Sequence, residues 1–100
     1  MPVIRADLLK EISTRILRKA GATESEANTV AQFLVGANLA GHDSHGVIRI
    51  PQYVKRIEDG MMRPSAPFTI VRESAATALV DGNWGFGQVI ARKAMEIAIA

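Results

Sequence analysis

Cysteine is absent from the 100-residue chain, so neither a disulfide framework nor a thiolate metal site can form. No apolar stretch approaches the roughly 18 uninterrupted residues that a membrane-crossing helix requires, because charged or polar residues break every hydrophobic run. A block of like charge is missing too. Twelve Lys and Arg are interspersed with ten Asp and Glu, for a formal charge of +2, so the chain lacks the basic tail of a nucleic-acid binder. There is no basic-then-apolar leader, which argues against secretion and makes the cytoplasm the expected compartment. What is present is ordinary for a chain that folds around a core: 48% hydrophobic residues and 22% charged ones. A domain of this size buries only about two-thirds of its unfolded surface, so its stability would be modest unless neighbours cover one face.

From Asp7, the apolar residues Leu8, Leu9, Ile12, Ile16 and Ala20 recur at helical spacing. Asp7 is placed to cap the start, and Gly21 after Arg18 and Lys19 is placed to stop the helix. Thr23 followed by Glu26 has the form of a capping box, and Ala27, Val30, Ala31, Leu34 and Ala37 line one face as far as Gly41. The short link predicts that these two helices pack as an antiparallel hairpin. Val47, Ile50, Val54 and Ile57 repeat by threes and fours up to Gly60 and predict a third helix. Pro51 disfavours helical geometry at Ile50, so the regular part is expected to begin near Pro51.

Two prolines within Arg63 to Pro67 mark a connection and the expected domain boundary. Phe68 to Val71 and Thr77 to Val80 are β-prone runs that predict a hairpin, closed by Asp81-Gly82-Asn83. Helical spacing resumes from Gln88 to Ala100 through Val89, Ile90, Ala94, Ile97 and Ala98, apolar to the last residue, which suggests that a longer protein continues beyond it. The fold class is α+β. Residues 1–64 form a helical region, and residues 65–100 begin a larger mixed domain.

The most polar concentration is His42-Asp43-Ser44-His45, bracketed by Gly41 and Gly46, which permit tight backbone geometry and close approach by a ligand. Solvated histidines beside a capping Ser44 or Asp43 are one reading of it. The other takes one histidine as an acid/base, since an unperturbed imidazole titrates at about 6.5. If the third helix extends back to His45, then His45, Arg49 and Tyr53 fall at successive i, i+4 positions. That stripe suits a small hydroxy acid: the guanidinium grips the carboxylate bidentately, the imidazole exchanges the hydroxyl proton, and the phenol bonds a neighbouring polar group. Residue types alone leave open that Arg49 is merely solvated and Tyr53 merely packed. A zinc site from His42, Asp43 and His45 is disfavoured, because successive loop residues rarely converge on one ion and no further histidine or cysteine is available. The segment from Asp81 to Gly87 lacks both the GxGxxG spacing and a Lys-Ser/Thr pair. It reads as a turn whose aromatic residues pack under the following helix, although amide groups at that helix start offer a binding role.

Taken together, Ala40-Gly41-His42-Asp43-Ser44-His45-Gly46-Val47-Ile48-Arg49, followed by Pro51, Tyr53 and Gly60, closely resembles the malate/L-lactate dehydrogenase family, which is unrelated to the common Rossmann lactate and malate dehydrogenases. The resemblance extends to the Gly21 stop, the Asp81-Gly82 turn with Gly85 and Gly87, and the Ala94-Met95-Glu96 helix. It implies a homodimer that uses NAD or NADP, bound by a central domain mostly beyond residue 100. Ser44 matches the relay serine that orients the histidine, His45 the proton donor, and Arg49 a contact to the substrate carboxylate, with Tyr53 beside them. Cofactor-binding residues remain unassigned, the relay's aspartate falls outside this chain, and His42 and Asp43 carry no role over. Members act on malate, lactate, sulfolactate, ureidoglycolate, diketogulonate or cyclic imino acids, so the implied substrate is a small 2-hydroxy or 2-oxo acid. The segment alone is expected to be inactive.

The rival reading is a noncatalytic helical binding or dimerisation module, including a helix-turn-helix. Against DNA recognition, the second helix presents Glu24, Glu26, Asn28 and Gln32, and no Lys or Arg occurs between Gly21 and Gly46.

Overall fold

A computed structural model describes residues 4–99. Helices α1 (Ala6–Lys19) and α2 (Glu24–Leu39) come first. Two 3-10 turns, Asp43–His45 and Val47–Arg49, lead into α3 (Ile50–Glu58). Strands β1 (Thr69–Glu73) and β2 (Ala78–Asp81) pair antiparallel, and α4 (Gly87–Ile99) follows. Helices, then a hairpin, then a helix make an α+β fold. No helix among the described residues is long and apolar enough to cross a membrane.

The glycine stops work as expected. Gly21, Gly41 and Gly60 all adopt positive φ, where a Cβ would be strained. At each, the glycine N–H and the next N–H turn back onto the last carbonyls: Gly41 N bonds Asn38 O at 3.0 Å and His42 N bonds Ala37 O at 2.8 Å. This pattern satisfies helix-end acceptors that would otherwise have none. Its consequence at Gly41 is a sharp exit that delivers the chain into the polar loop.

The capping box at the start of α2 is complete, with Glu26 N donating to Thr23 Oγ1 at 3.1 Å and Thr23 N to Glu26 Oε1 at 3.1 Å. Glu26 also accepts the Ser65 N–H through both carboxylate oxygens at 2.9 Å, which ties the proline-containing connection to α2. One carboxylate therefore serves a helix cap and a crossing loop. Replacing Glu26 with Ala is expected to cost about 1–2 kcal/mol, read as a lowered midpoint in a urea titration of the full-length protein. An unshifted midpoint would mean that water replaces both bonds without loss.

The core joins all four helices: Leu17 from α1, Ala27, Val30 and Leu34 from α2, Ile50 from α3 and Val89 from α4, with Phe86 fully buried ahead of α4. The α2 face is as expected, except that Ala37 is half-buried. Helix α1 departs from expectation. Its buried residues are Ser13 and Leu17, whereas Leu8, Ile12 and Ile16 are 48%, 42% and 42% exposed. Two neighbouring i, i+4 ridges run along this helix, 8-12-16 and 9-13-17, and the second one, though interrupted by a serine, is the one turned inward. The expected Asp7 cap is also corrected. Arg5 is the N-cap residue, and Asp7 sits in the first turn, paired with the Arg5 guanidinium at 2.8 Å.

Helix α3 does not reach back to His45. Pro51 is tolerated because it lies in the first turn of α3, where no intrahelical partner is lost. The strands lie slightly later than the β-prone runs, and the register slips between Ile70 and Arg72, leaving Val71 as the extra residue of a bulge. Of the two aromatics in the 81–87 turn only Phe86 packs inside, and Trp84 is 73% exposed at positive φ. The expected end of the last helix at Ala100 lies outside the described residues.

Candidate active site

Ser44 and His45 sit on the first 3-10 turn, and Gly46 is extended (φ −96°, ψ −151°) before the second. The continuous helical stripe from His45 to Tyr53 is therefore replaced by a loop and a helix start. The side chains still meet: His45, Arg49, Gln52, Tyr53 and Arg56 line one open cleft of about 500 Å³, floored by Leu34 and Ala37 of α2 and closed by Gln88 from the first turn of α4.

His45 Nδ1 lies 3.0 Å from Ser44 Oγ. Among the described residues His45 makes no other side-chain hydrogen bond. The serine hydroxyl thus fixes one ring nitrogen and leaves Nε2 for a ligand. Arg49 Nε donates to the Ser44 carbonyl oxygen at 2.7 Å, and Nη1 reaches Gln52 Oε1 at 3.3 Å. This guanidinium braces the loop on its Nε side, so a carboxylate can be gripped bidentately only across the Nη1 and Nη2 end. Tyr53 is half-buried against the core, and its hydroxyl accepts a hydrogen bond from Gln88 Nε2 at 3.0 Å. Here the phenol is both a packing residue and a polar one.

His42 and Asp43 are exposed, and Asp43 Oδ1 takes a hydrogen bond from Asn38 Nδ2 at 2.8 Å. Among the described residues no three His, Asp or Glu side chains gather closely enough to hold a metal ion.

Five residues of the site escaped sequence reasoning: Phe33, Asn38, Gln52, Arg56 and Gln88. Gln52 and Arg56 share the α3 face with Arg49 and Tyr53 at spacings of three and seven residues, a helical signal once the helix start is known. Gln88 comes from a distant element, and no local pattern identifies it. Asn38 is a polar residue in the last turn of an apolar helix, and only the loop that folds over it reveals its use.

The family model for malate/L-lactate dehydrogenase matches residues 4–100. The L-sulfolactate dehydrogenase of Methanocaldococcus jannaschii is 40% identical over 97 residues, covering 97% of this chain and 28% of that protein. Hydroxycarboxylate dehydrogenase B of Escherichia coli K12 is 40% identical over 94 residues, covering 94% of this chain and 26% of its own length. The structure of malate dehydrogenase from Pyrococcus horikoshii OT3 superposes with a TM-score of 0.93 at 38% identity, covering 96% of this chain and 28% of that one. The chain thus spans little more than a quarter of the relatives it matches. These three relatives are named as dehydrogenases, and the noncatalytic helical module is not favoured. With His45 beside Arg49 and Arg56 in one cleft and a family match over residues 4–100, the chain belongs to the malate/L-lactate dehydrogenase family.

Proposed function

We propose that the protein carrying this segment is a homodimeric, cytoplasmic NAD- or NADP-dependent oxidoreductase of small 2-hydroxy and 2-oxo acids of the malate or lactate type. Residues 1–64 supply its acid/base region, and residues 65–100 begin its cofactor domain. The observation that carries this reading is the pairing of His45 Nδ1 with Ser44 Oγ at 3.0 Å, beside Arg49 in one cleft. Relatives named as malate, L-sulfolactate and hydroxycarboxylate dehydrogenases support the substrate class.

The nicotinamide cofactor, when bound, accepts or returns the hydride at C2 of the acid. This chain's residues handle the proton and the charge. In oxidation, Nε2 of neutral His45 takes the hydroxyl proton, which requires the Nδ1-protonated tautomer, with Nδ1–H donating to Ser44 Oγ. In reduction the same ring, doubly protonated, returns the proton to the forming alkoxide. The Nη1 and Nη2 end of Arg49 holds the substrate carboxylate and fixes C2 relative to the imidazole. Tyr53, oriented by Gln88, presents its hydroxyl to a polar substituent of the acid.

The test is a panel of 2-hydroxy and 2-oxo acids offered to the full-length protein with each nicotinamide cofactor, following the reduced ring by its absorbance. Turnover is expected with at least one dicarboxylic or monocarboxylic 2-hydroxy acid. No oxidation or reduction across the panel with either cofactor would remove the proposal.

A further inference from the structure

We infer that Asn38 is a positioning residue that holds His45 in its reactive place by stapling both ends of the loop that carries it. The inference rests on the dehydrogenase reading above. Asn38 lies in the last turn of α2, half-buried, below the arc that runs from Asp43 to Val47. Its Nδ2 donates to Asp43 Oδ1 at 2.8 Å, and its Oδ1 accepts the Val47 N–H at 3.0 Å. A backbone N–H can only donate and a carboxylate can only accept, so these two partners admit one orientation of the amide. Ser44, His45 and Gly46 are the residues between them. Gly46 is buried directly against the amide: a Cβ there would overlap the Asn38 side chain.

The loop has few other ties. Within the arc the backbone bonds, His45 N to His42 O at 2.9 Å, Gly46 N to Asp43 O at 3.1 Å and Arg49 N to Gly46 O at 3.0 Å, shape each turn internally, and His42 N to Ala37 O at 2.8 Å fixes only the entry of the loop to α2. The Arg49 Nε bond to Ser44 O at 2.7 Å links the arc to its own continuation. Asn38 is the side chain that joins the arc to α2, the helix that also floors the cleft through Leu34 and Ala37. Without it, the arc is tied to the cleft floor only at its entry, where His42 N bonds Ala37 O at 2.8 Å, and its far arm at Val47 loses its hydrogen bond to α2. Because proton and hydride transfer demand near-attack geometry, a displacement of about 1 Å can cost about a hundredfold in rate.

The experiment compares kcat for Asn38→Ala, Asn38→Asp, the double variant Asn38→Asp/Asp43→Asn and His45→Ala in the full-length enzyme, together with thermal midpoints. Both single Asn38 variants are expected to lose about 10- to 100-fold in kcat at temperatures well below their midpoints. Asn38→Asp keeps the acceptor for Val47 but sets two carboxylates against each other. The double variant restores a donor on residue 43 facing an acceptor on residue 38, and is expected to recover about tenfold or more of the loss. A role confined to stability would lower the midpoint and leave kcat of the folded enzyme near the parent's, which overturns the inference, as does a double variant no better than Asn38→Asp. Should Asn38→Ala fail to fold, the comparison of Asn38→Asp with the double variant decides alone. The parent enzyme and His45→Ala separate the levels: if the parent turns over no acid of the panel the dehydrogenase reading itself falls, if His45→Ala turns over normally the acid/base role of His45 falls and the staple with it, and if His45→Ala is dead while Asn38→Ala is fully active only the staple falls.

Discussion

Replacing His45 with Ala is expected to reduce turnover by about two to four orders of magnitude in both directions of the reaction, the range usual for loss of a positioned acid/base. The full-length protein should remain folded. The imidazole is exposed and, among the described residues, its side-chain hydrogen bond is to the adjacent Ser44 hydroxyl, so its removal leaves neither a core cavity nor a buried polar group without a partner. Ser44→Ala should fall between parent and His45→Ala, because the ring keeps its nitrogens but loses the contact that fixes its tautomer and angle. Steady-state assays with the best acid of the panel, alongside thermal melts, measure both effects. Parent-like turnover in His45→Ala would transfer the proton to some other group and leave the cleft without its assigned base.

Local chemistry made part of this molecule legible. The Thr23 and Glu26 pair specified its capping box because both partners lie within one turn, and glycines 21, 41 and 60 ended their helices because only positive φ closes those turns. The polar run His42-Asp43-Ser44-His45 stood out between two apolar helices, although residue types alone left a capping and solvated reading of it open beside the acid/base one. What sequence periodicity could not resolve was a choice between two neighbouring ridges on α1, since both carry leucine or isoleucine and only the partner surface decides which is buried. The extension of α3 back to His45 failed at Gly46, whose extended backbone divides two short turns. Asn38 and Gln88 were invisible for a related reason: each acts on residues 5 to 35 positions away, through contacts that exist only after folding. The cleft therefore combines a motif readable in the chain with supports that are purely tertiary.

Gly46→Ala is the substitution in which those two parts collide. The backbone of Gly46 is ordinary extended structure that alanine can adopt, so the obstacle is space rather than conformation. The added methyl would enter the volume of the Asn38 amide, and that amide cannot swing aside without giving up Asp43 and Val47 together. Either the amide leaves and the arc is released, or the arc lifts and carries His45 away from the cleft. Both outcomes misplace the ring, so kcat should drop about a hundredfold, with a stability loss of about 1–3 kcal/mol from overpacking. Truncating the obstacle supplies the check. In Asn38→Ala/Gly46→Ala the methyl has room, so the double variant should be no worse than Asn38→Ala alone, a strongly non-additive result read from kcat and thermal midpoints of the four enzymes. Losses that simply add would show that the glycine is needed for a reason other than the asparagine beneath it.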